Sequence, residues 1–291
     1  MGQKFCVLGL GLMGSRVAKR LAEKGHDVTG WNRTAGAHLD DLSRIITLAN
    51  NPCEAVKGAN IVLLYLHDGQ SVRDVILNRG VVKCFDAGTL LVDMGTNTPA
   101  EARDLAAKLP KNISFADGPV SGGTKGAQNG TLSIFLGIKT ANLALAQTLL
   151  EDVGRVTHMG EIGTGQAAKL ANQIIVACTI AALGEGIAYG EALGISADKL
   201  VEAMAGGLAD SEILKTMGGR ITSGDFSPRG RAATHLKDMD CAFSQIEDVE
   251  NRLVSAATAR KYLQSLVASG KEFDHSAMVI PARKALAREL D

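Results

Sequence analysis

At 291 residues the chain is long for one hydrophobic core, and two domains are the better expectation. Apolar residues make up 46% and charged residues 21%, and 31 basic side chains balance 31 acidic ones, which argues against nucleic acid or an anionic membrane as partner. The five cysteines, Cys6, Cys53, Cys84, Cys178 and Cys241, form no C-x-x-C pair and sit mostly in apolar runs, so buried free thiols in a reducing, cytoplasmic setting are expected.

The short apolar run at the N-terminus leads straight into a glycine motif and reads as a first strand rather than a signal peptide. Strands are expected at 4–10, 28–31, 45–48, 61–67, 89–94, 113–116, 133–137 and 155–158. Helical patterns lie between them at 13–23, 71–77, 99–109 and 141–152. This alternation implies βαβ units and a mainly parallel sheet. Beyond residue 163 the strand signals stop. Helices are expected from 164 to about 193 and at 197–205, 210–217, 231–247, 255–268 and 277–289, with Ser196 and Ser276 as N-caps. The fold class is therefore α/β: an N-terminal Rossmann dinucleotide-binding domain (1–162) and a C-terminal all-α domain (163–291), joined by a long helix. That helix is not expected to span a membrane. Its charge-free stretch, Leu170 to Gly184, is interrupted by Asn172, Gln173 and Thr179, and a span needs about 18 apolar residues.

Gly9-Leu10-Gly11-Leu12-Met13-Gly14 matches G-x-G-x-x-G, following a strand and opening a helix. In that context Gly9 permits the tight turn, Gly11 lets the backbone approach a pyrophosphate, and Gly14 lets the helix pack on the strand. The second strand ends on Asn32, Arg33 and Thr34, where an NAD-selective site usually carries an Asp or Glu. An amide, a guanidinium and a hydroxyl suit a 2′-phosphate, so NADP is favoured, with NAD possible.

Four blocks taken together resemble the β-hydroxyacid dehydrogenase family, almost end to end: the glycine fingerprint, D117-G-P-V-S-G-G-T-K-G-A-Q-N-G-T-L132, G163-T-G-Q-A-A-K-L-A-N-Q173 and H235-L-K-D238. Ser121, Gly122 and Gly123 offer a hydroxyl and consecutive N–H groups at the carboxyl edge of the sheet, a concave anion site. The resemblance implies that they hold the substrate carboxylate. It also places Thr96 beside the nicotinamide and Lys237 close to nicotinamide or substrate. Thr96 lies in D93-M-G-T-N-T-P99, where Thr and Pro can equally start the next helix.

Lys169, Asn172 and Gln173 fall on one helix face at about 100° per residue. Partial burial and the positive helix terminus both disfavour an ammonium there and ease proton donation. Taken alone, a lysine at a helix start more often extends along its stem to solvent. The resemblance implies instead that Lys169 is the general acid–base, with Asn172 and Gln173 orienting the substrate or the ammonium. Many members carry Asn where this chain has Gln173. The Asn172-Gln173 pair, 206–209 and 274–277 resemble the tartronate semialdehyde reductase branch.

The resemblance thus implies an NADP-preferring reductase of a small carboxylate-bearing aldehyde, assembled as a homodimer or homotetramer. Glyoxylate/succinic semialdehyde reductase, 3-hydroxyisobutyrate dehydrogenase, imine reductase and a non-catalytic nucleotide-binding module are the alternatives. Lys169 argues against the last two. Asp238 is expected to position Lys237, and His235 to be structural. The histidines show no metal-ligand spacing, and no metal is expected.

Overall fold

Strand β1 (Lys4–Leu8) is apolar and buried from Phe5 onward, and it pairs in parallel with β2 (Asp27–Trp31) on one side and β4 (Ile61–Leu64) on the other. A computed structural model of the chain describes residues 2–287. It divides into two units, Met1–Lys169 and Leu170–Asp291. The first holds a nine-stranded sheet completed by β3 (Thr47–Leu48), β5 (Leu90–Asp93), β6 (Ser114–Asp117), β7 (Val120–Ser121), β8 (Leu132–Ile138) and β9 (Gly154–Gly160). The order is β3-β2-β1-β4-β5-β6-β8-β7, with β9 on β8. The pairs from β3 to β6 are parallel, and β8 runs antiparallel to β6 and β7. Strands such as Ile61–Leu64 and Leu90–Asp93 are buried throughout, as parallel strands covered on both faces must be. The order reverses between β1 and β4, which opens a crevice at the carboxyl ends of the strands.

The helices of this unit are α1 (Gly14–Glu23), α2 (Ala37–Leu42), α3 (Pro52–Val56), α4 (Gly69–Arg73), α5 (Pro99–Lys108), α6 (Gly123–Asn129), α7 (Leu143–Leu150) and the start of α8 (Thr164–Ala192). α1 packs Val17, Ala18 and Leu21 into the core under β1. α5 starts with a full capping box, Thr98 with Glu101, and Pro99 at its first position. All the expected strands are present; β1, β3, β4 and β5 are shorter than expected, β2, β8 and β9 are longer, and β6 is shifted by one residue. The two-residue β7 and the short helices α2, α3 and α6 were not anticipated, because runs of two to seven residues carry little periodicity.

One expectation is overturned. Cys53, in α3, and Cys84 are joined as a disulfide with Cα atoms 5.4 Å apart, which leaves Cys6, Cys178 and Cys241 outside that bond. The two sulfurs meet because α3 and the 3₁₀ turn Val81–Lys83 pack together, a contact invisible in a 31-residue spacing.

The second unit is helical: the remainder of α8, then α9 (Ala197–Met204), α10 (Glu212–Ser223), α11 (Ala232–Phe243), α12 (Val249–Arg252), α13 (Val254–Ala268) and α14 (Val279–Ala287). Its core gathers Leu170, Ala177, Ile180 and Ala181 of α8 with Met239 and Phe243 of α11, Leu263 and Leu266 of α13, and Met278. α8 is long and apolar enough to cross a membrane by length and composition, with a mean hydropathy of 1.5 in its most apolar window. A helix that supplies four residues to a protein core meets the same test. Ser196 stands at the N-cap of α9 without a side-chain bond, and Ser276 lies inside a 3₁₀ turn. Asp274 caps that turn instead, because a carboxylate two residues earlier reaches the Ser276 N–H. The expected helix to Glu289 extends outside the described residues.

Candidate functional site

The glycine loop follows the buried end of β1. Gly9 has φ +100°, and a Cβ there would overlap the Tyr65 carbonyl; a Cβ on Gly14 would overlap the Gly9 carbonyl. Gly11 is different, for a Cβ added there meets nothing within 4 Å. Two glycines close the turn, then, and the third leaves open space over the loop backbone. That is what the approach of a pyrophosphate requires, with Leu12 and Met13 leading into the N-terminus of α1. The residues present fit a dinucleotide.

Asn32 clamps this loop. Its Oδ1 accepts from the Leu10 N–H at 3.0 Å, and its Nδ2 donates to the Thr34 carbonyl at 2.7 Å. His38 donates from Nε2 to the Leu10 carbonyl at 2.9 Å, since a carbonyl can only accept. Leu10 is therefore held at both its N–H and its carbonyl, and His38 was missed in the sequence. Arg33 and Thr34 are exposed at the strand end.

At the far side of the crevice, Ser121 ends β7, and Gly122 and Gly123 follow with φ of +128° and +60°. Both conformations favour glycine, and a Cβ on Gly123 would meet nothing within 4 Å. Thr96 is half-buried in the loop after β5, and Thr98, not Thr96, caps α5.

Lys169 is buried, 7% exposed, in the second turn of α8. The start of that helix is held by residues whose part in the site was missed. Asp117, at the end of β6, accepts from the Gly163 N–H at 2.7 Å and the Gln166 N–H at 2.8 Å. Burial pushes its carboxyl up to about 6, against the pull of those two N–H groups. Gln166 in turn donates to the Gly95 carbonyl and accepts from the Asn97 N–H, each at 2.9 Å. Asp117 and Gln166 both lay inside the motif blocks. A carboxylate at the carboxyl end of a sheet strand was the available signal.

In the second unit Gln173 is engaged by protein groups. Its Oε1 accepts from Asn172 Nδ2 at 3.1 Å, and its Nε2 donates to Asp238 Oδ2 at 2.6 Å. Asp238 also pairs with Lys237 at 2.9 Å, which places Asp238 between the amide and the ammonium. His235 donates from Nε2 to the Gln173 carbonyl at 3.1 Å, leaving its Nδ1 to accept from His275 Nδ1 at 3.0 Å. Burial, with His235 beside it, lowers the His275 imidazole to about 4. Gln173 is thus held at three points by α8 and α11.

The family model described as the NAD binding domain of 6-phosphogluconate dehydrogenase matches residues 4–163. The one described as NAD-binding of NADP-dependent 3-hydroxyisobutyrate dehydrogenase matches residues 163–282. The 2-hydroxy-3-oxopropionate reductase of Escherichia coli (strain K12) is 32% identical over 281 residues, covering 95% of this chain and 96% of that one. The chain belongs to the β-hydroxyacid dehydrogenase family. Like its relatives in that family it is an NAD(P)-dependent oxidoreductase acting on CH–OH groups. The solved structure of Mycobacterium tuberculosis 3-hydroxyisobutyrate dehydrogenase with L-serine shares the fold with a TM-score of 0.83 at 27% identity, covering 97% of this chain and 100% of that one. An imine reductase from Pseudomonas sp., at 23% identity and a TM-score of 0.59 over 97% of this chain and 99% of that one, shares the fold alone.

Proposed function

We propose that this β-hydroxyacid dehydrogenase is an NADP-preferring reductase of small aldehyde acids, converting tartronate semialdehyde to glycerate, with Lys169 as the general acid. The observation that carries the reading is Lys169 itself, a buried amine on a helix whose first amides are bonded to Asp117 at the sheet edge where the glycine loop also lies. Gly9, Leu10, Gly11, Leu12, Met13 and Gly14 would hold the pyrophosphate, Asn32, Arg33 and Thr34 the adenosine 2′-phosphate, and Thr96 the nicotinamide side. Bound there, the nicotinamide supplies the hydride in reduction and takes it back in oxidation.

Ser121, Gly122 and Gly123 seat the substrate carboxylate with donors that need no side-chain reorganisation. Lys169 donates its proton to the oxygen as the carbon is reduced, and removes it in the reverse direction. Asn172 and Lys237 contact substrate or cofactor, and Gln173 and Asp238 hold them in place. Support for tartronate semialdehyde comes from the relative named 2-hydroxy-3-oxopropionate reductase, and for NADP from the matching NADP-dependent family description. A 3-hydroxyisobutyrate dehydrogenase is the second reading, favoured by that same description. The enzyme acts in the cytoplasm as a homo-oligomer built on the exposed apolar face of α8.

Initial rates of NADPH and NADH oxidation with tartronate semialdehyde, succinic semialdehyde, methylmalonate semialdehyde, glyoxylate and a cyclic imine test the reading. The highest kcat/KM is expected for tartronate semialdehyde with NADPH. Faster turnover of methylmalonate semialdehyde would establish the second reading, and a preference for the imine or for NADH would overturn the proposal.

A further inference from the structure

A helix that needs only a stable start takes its cap from the residue just before it. α8 takes its cap from another strand: Asp117 lies 46 residues before Gly163 and 49 before Gln166, yet its two oxygens accept the N–H groups of both. Asp117 stands in register beside Asp93, the last residue of β5. Asp93 accepts from the Gly95 N–H at 3.0 Å and from Asn97 Nδ2 at 2.6 Å. Gln166 links the two carboxylates, bonding Gly95 and Asn97 through its side chain and Asp117 through its backbone. All four side chains, Asp93, Asn97, Asp117 and Gln166, are buried to 2% exposure or less. Gly165 makes the close approach possible, since a Cβ there would overlap the Phe135 carbonyl.

Such a network defines where the helix starts relative to the sheet edge, and Lys169 follows Gln166 by three residues, on the same face. The same network acts on charge. A helix N-terminus carries about half a positive charge, which opposes an ammonium in its first turns. An ionised carboxylate bonded to the first amides offsets it. We infer that Asp117, with Gln166 and Asn97 behind it, is a positioning group that fixes the place of Lys169 and favours its ammonium form. The inference rests on Lys169 being the proton donor.

The charged groups on the stretches that meet the Asp117 end of β6 are Asp93 at the end of β5, Arg103 of α5 beside Gly163, and Lys169 three residues on from Gln166 in α8; Gly137 and Ile138, which pair with this strand end from β8, carry none, and the other charged residues of α5 and α8 are Glu101, Asp104, Lys108, Glu185 and Glu191. With its carboxyl raised to about 6, Asp117 loses its charge as the pH falls through that value, and one oxygen changes from acceptor to donor. Activity therefore acquires an acid limb near pH 6 that belongs to Asp117 rather than to the lysine.

The test measures kcat and KM against pH for NADPH-dependent reduction of tartronate semialdehyde, with succinic semialdehyde as second probe, in Asp117→Asn, Asp117→Glu, Gln166→Met and Lys169→Ala. NADPH dissociation constants and melting curves are taken alongside. An amide can accept at one oxygen only, so Asp117→Asn leaves one helix amide unpartnered and removes the charge. Its kcat is expected to fall by about tenfold or more, with NADPH binding within about threefold, as for loss of a group that aids proton transfer. The acid limb near pH 6 disappears, the basic limb moves to lower pH, and Asp117→Glu restores part of both. A folded Asp117→Asn enzyme with the wild-type pH profile overturns the inference. Should that variant fail to fold, Gln166→Met decides, because it keeps the carboxylate: a kcat lowered about fivefold with unchanged NADPH affinity supports the inference, and wild-type kcat overturns it. Wild-type turnover in Lys169→Ala would instead remove the lysine reading itself, whereas an essential lysine beside a neutral Asp117→Asn removes only this inference.

Discussion

Gly11 and Gly14 are indistinguishable as letters of one fingerprint, yet their surroundings differ completely. A Cβ on Gly14 would overlap the Gly9 carbonyl, a backbone atom that cannot swing aside, whereas a Cβ on Gly11 would enter empty space. Gly14→Ala is therefore expected to fail in folding or to lose about 3 kcal/mol or more, the upper range for overpacking a close contact. Gly11→Ala should melt like the wild type and bind NADPH about tenfold more weakly, because a methyl group then stands where the backbone must meet the pyrophosphate. Titration of NADPH fluorescence beside a thermal melt separates the two. The roles of Asp117 and His38 were not legible from the sequence. Nothing local tells which carboxylate at a strand end will meet a helix amide 46 residues later, or that an imidazole will close on the Leu10 carbonyl 28 residues before it. Asn32 stood out in the sequence just past the end of β2, but the two bonds it makes within the loop depend on a turn geometry that composition does not carry.

Among elements, α8 was the most legible in advance, since 29 residues without a proline and with no strand signal leave little ambiguity. Which of its faces is buried was not legible, because residues such as Ala, Ile and Leu surround the whole helix. In the structure Ala177, Ile180, Ala181, Ile187 and Ala188 are buried, while Ile175 (65% exposed), Ala182 and Tyr189 (61% exposed) recur every seven residues on an open face. A seven-residue apolar repeat suits a second helix of the same kind. Ile175→Glu combined with Tyr189→Glu should convert an oligomer to monomers in light scattering, with the fold retained by circular dichroism. A wild-type chain that is already monomeric would refute the assignment of this face. The short elements β7, α3 and α6 were illegible for the opposite reason, and with α3 went the Cys53–Cys84 pairing. A disulfide closing a loop of this length can add about 3–4 kcal/mol where it stays oxidised.

Across the whole molecule the switch near residue 163, where alternating strands and helices give way to helices alone, was readable in the sequence pattern. The family relationship then supplies chemistry that no periodicity encodes, an NAD(P) dinucleotide and oxidoreduction at a CH–OH group; to these we add, as a proposal, the aldehyde-acid substrate, its carboxylate seat and the lysine that moves the proton. Of these, the lysine is the part on which the account depends most. The decisive measurement is single-turnover reduction of tartronate semialdehyde by Lys169→Ala loaded with saturating NADPH, followed at 340 nm, with the NADPH dissociation constant measured separately. The account predicts unchanged NADPH affinity and a reduction rate lower by about two orders of magnitude or more, the usual scale for losing a general acid. Reduction at the wild-type rate would contradict it.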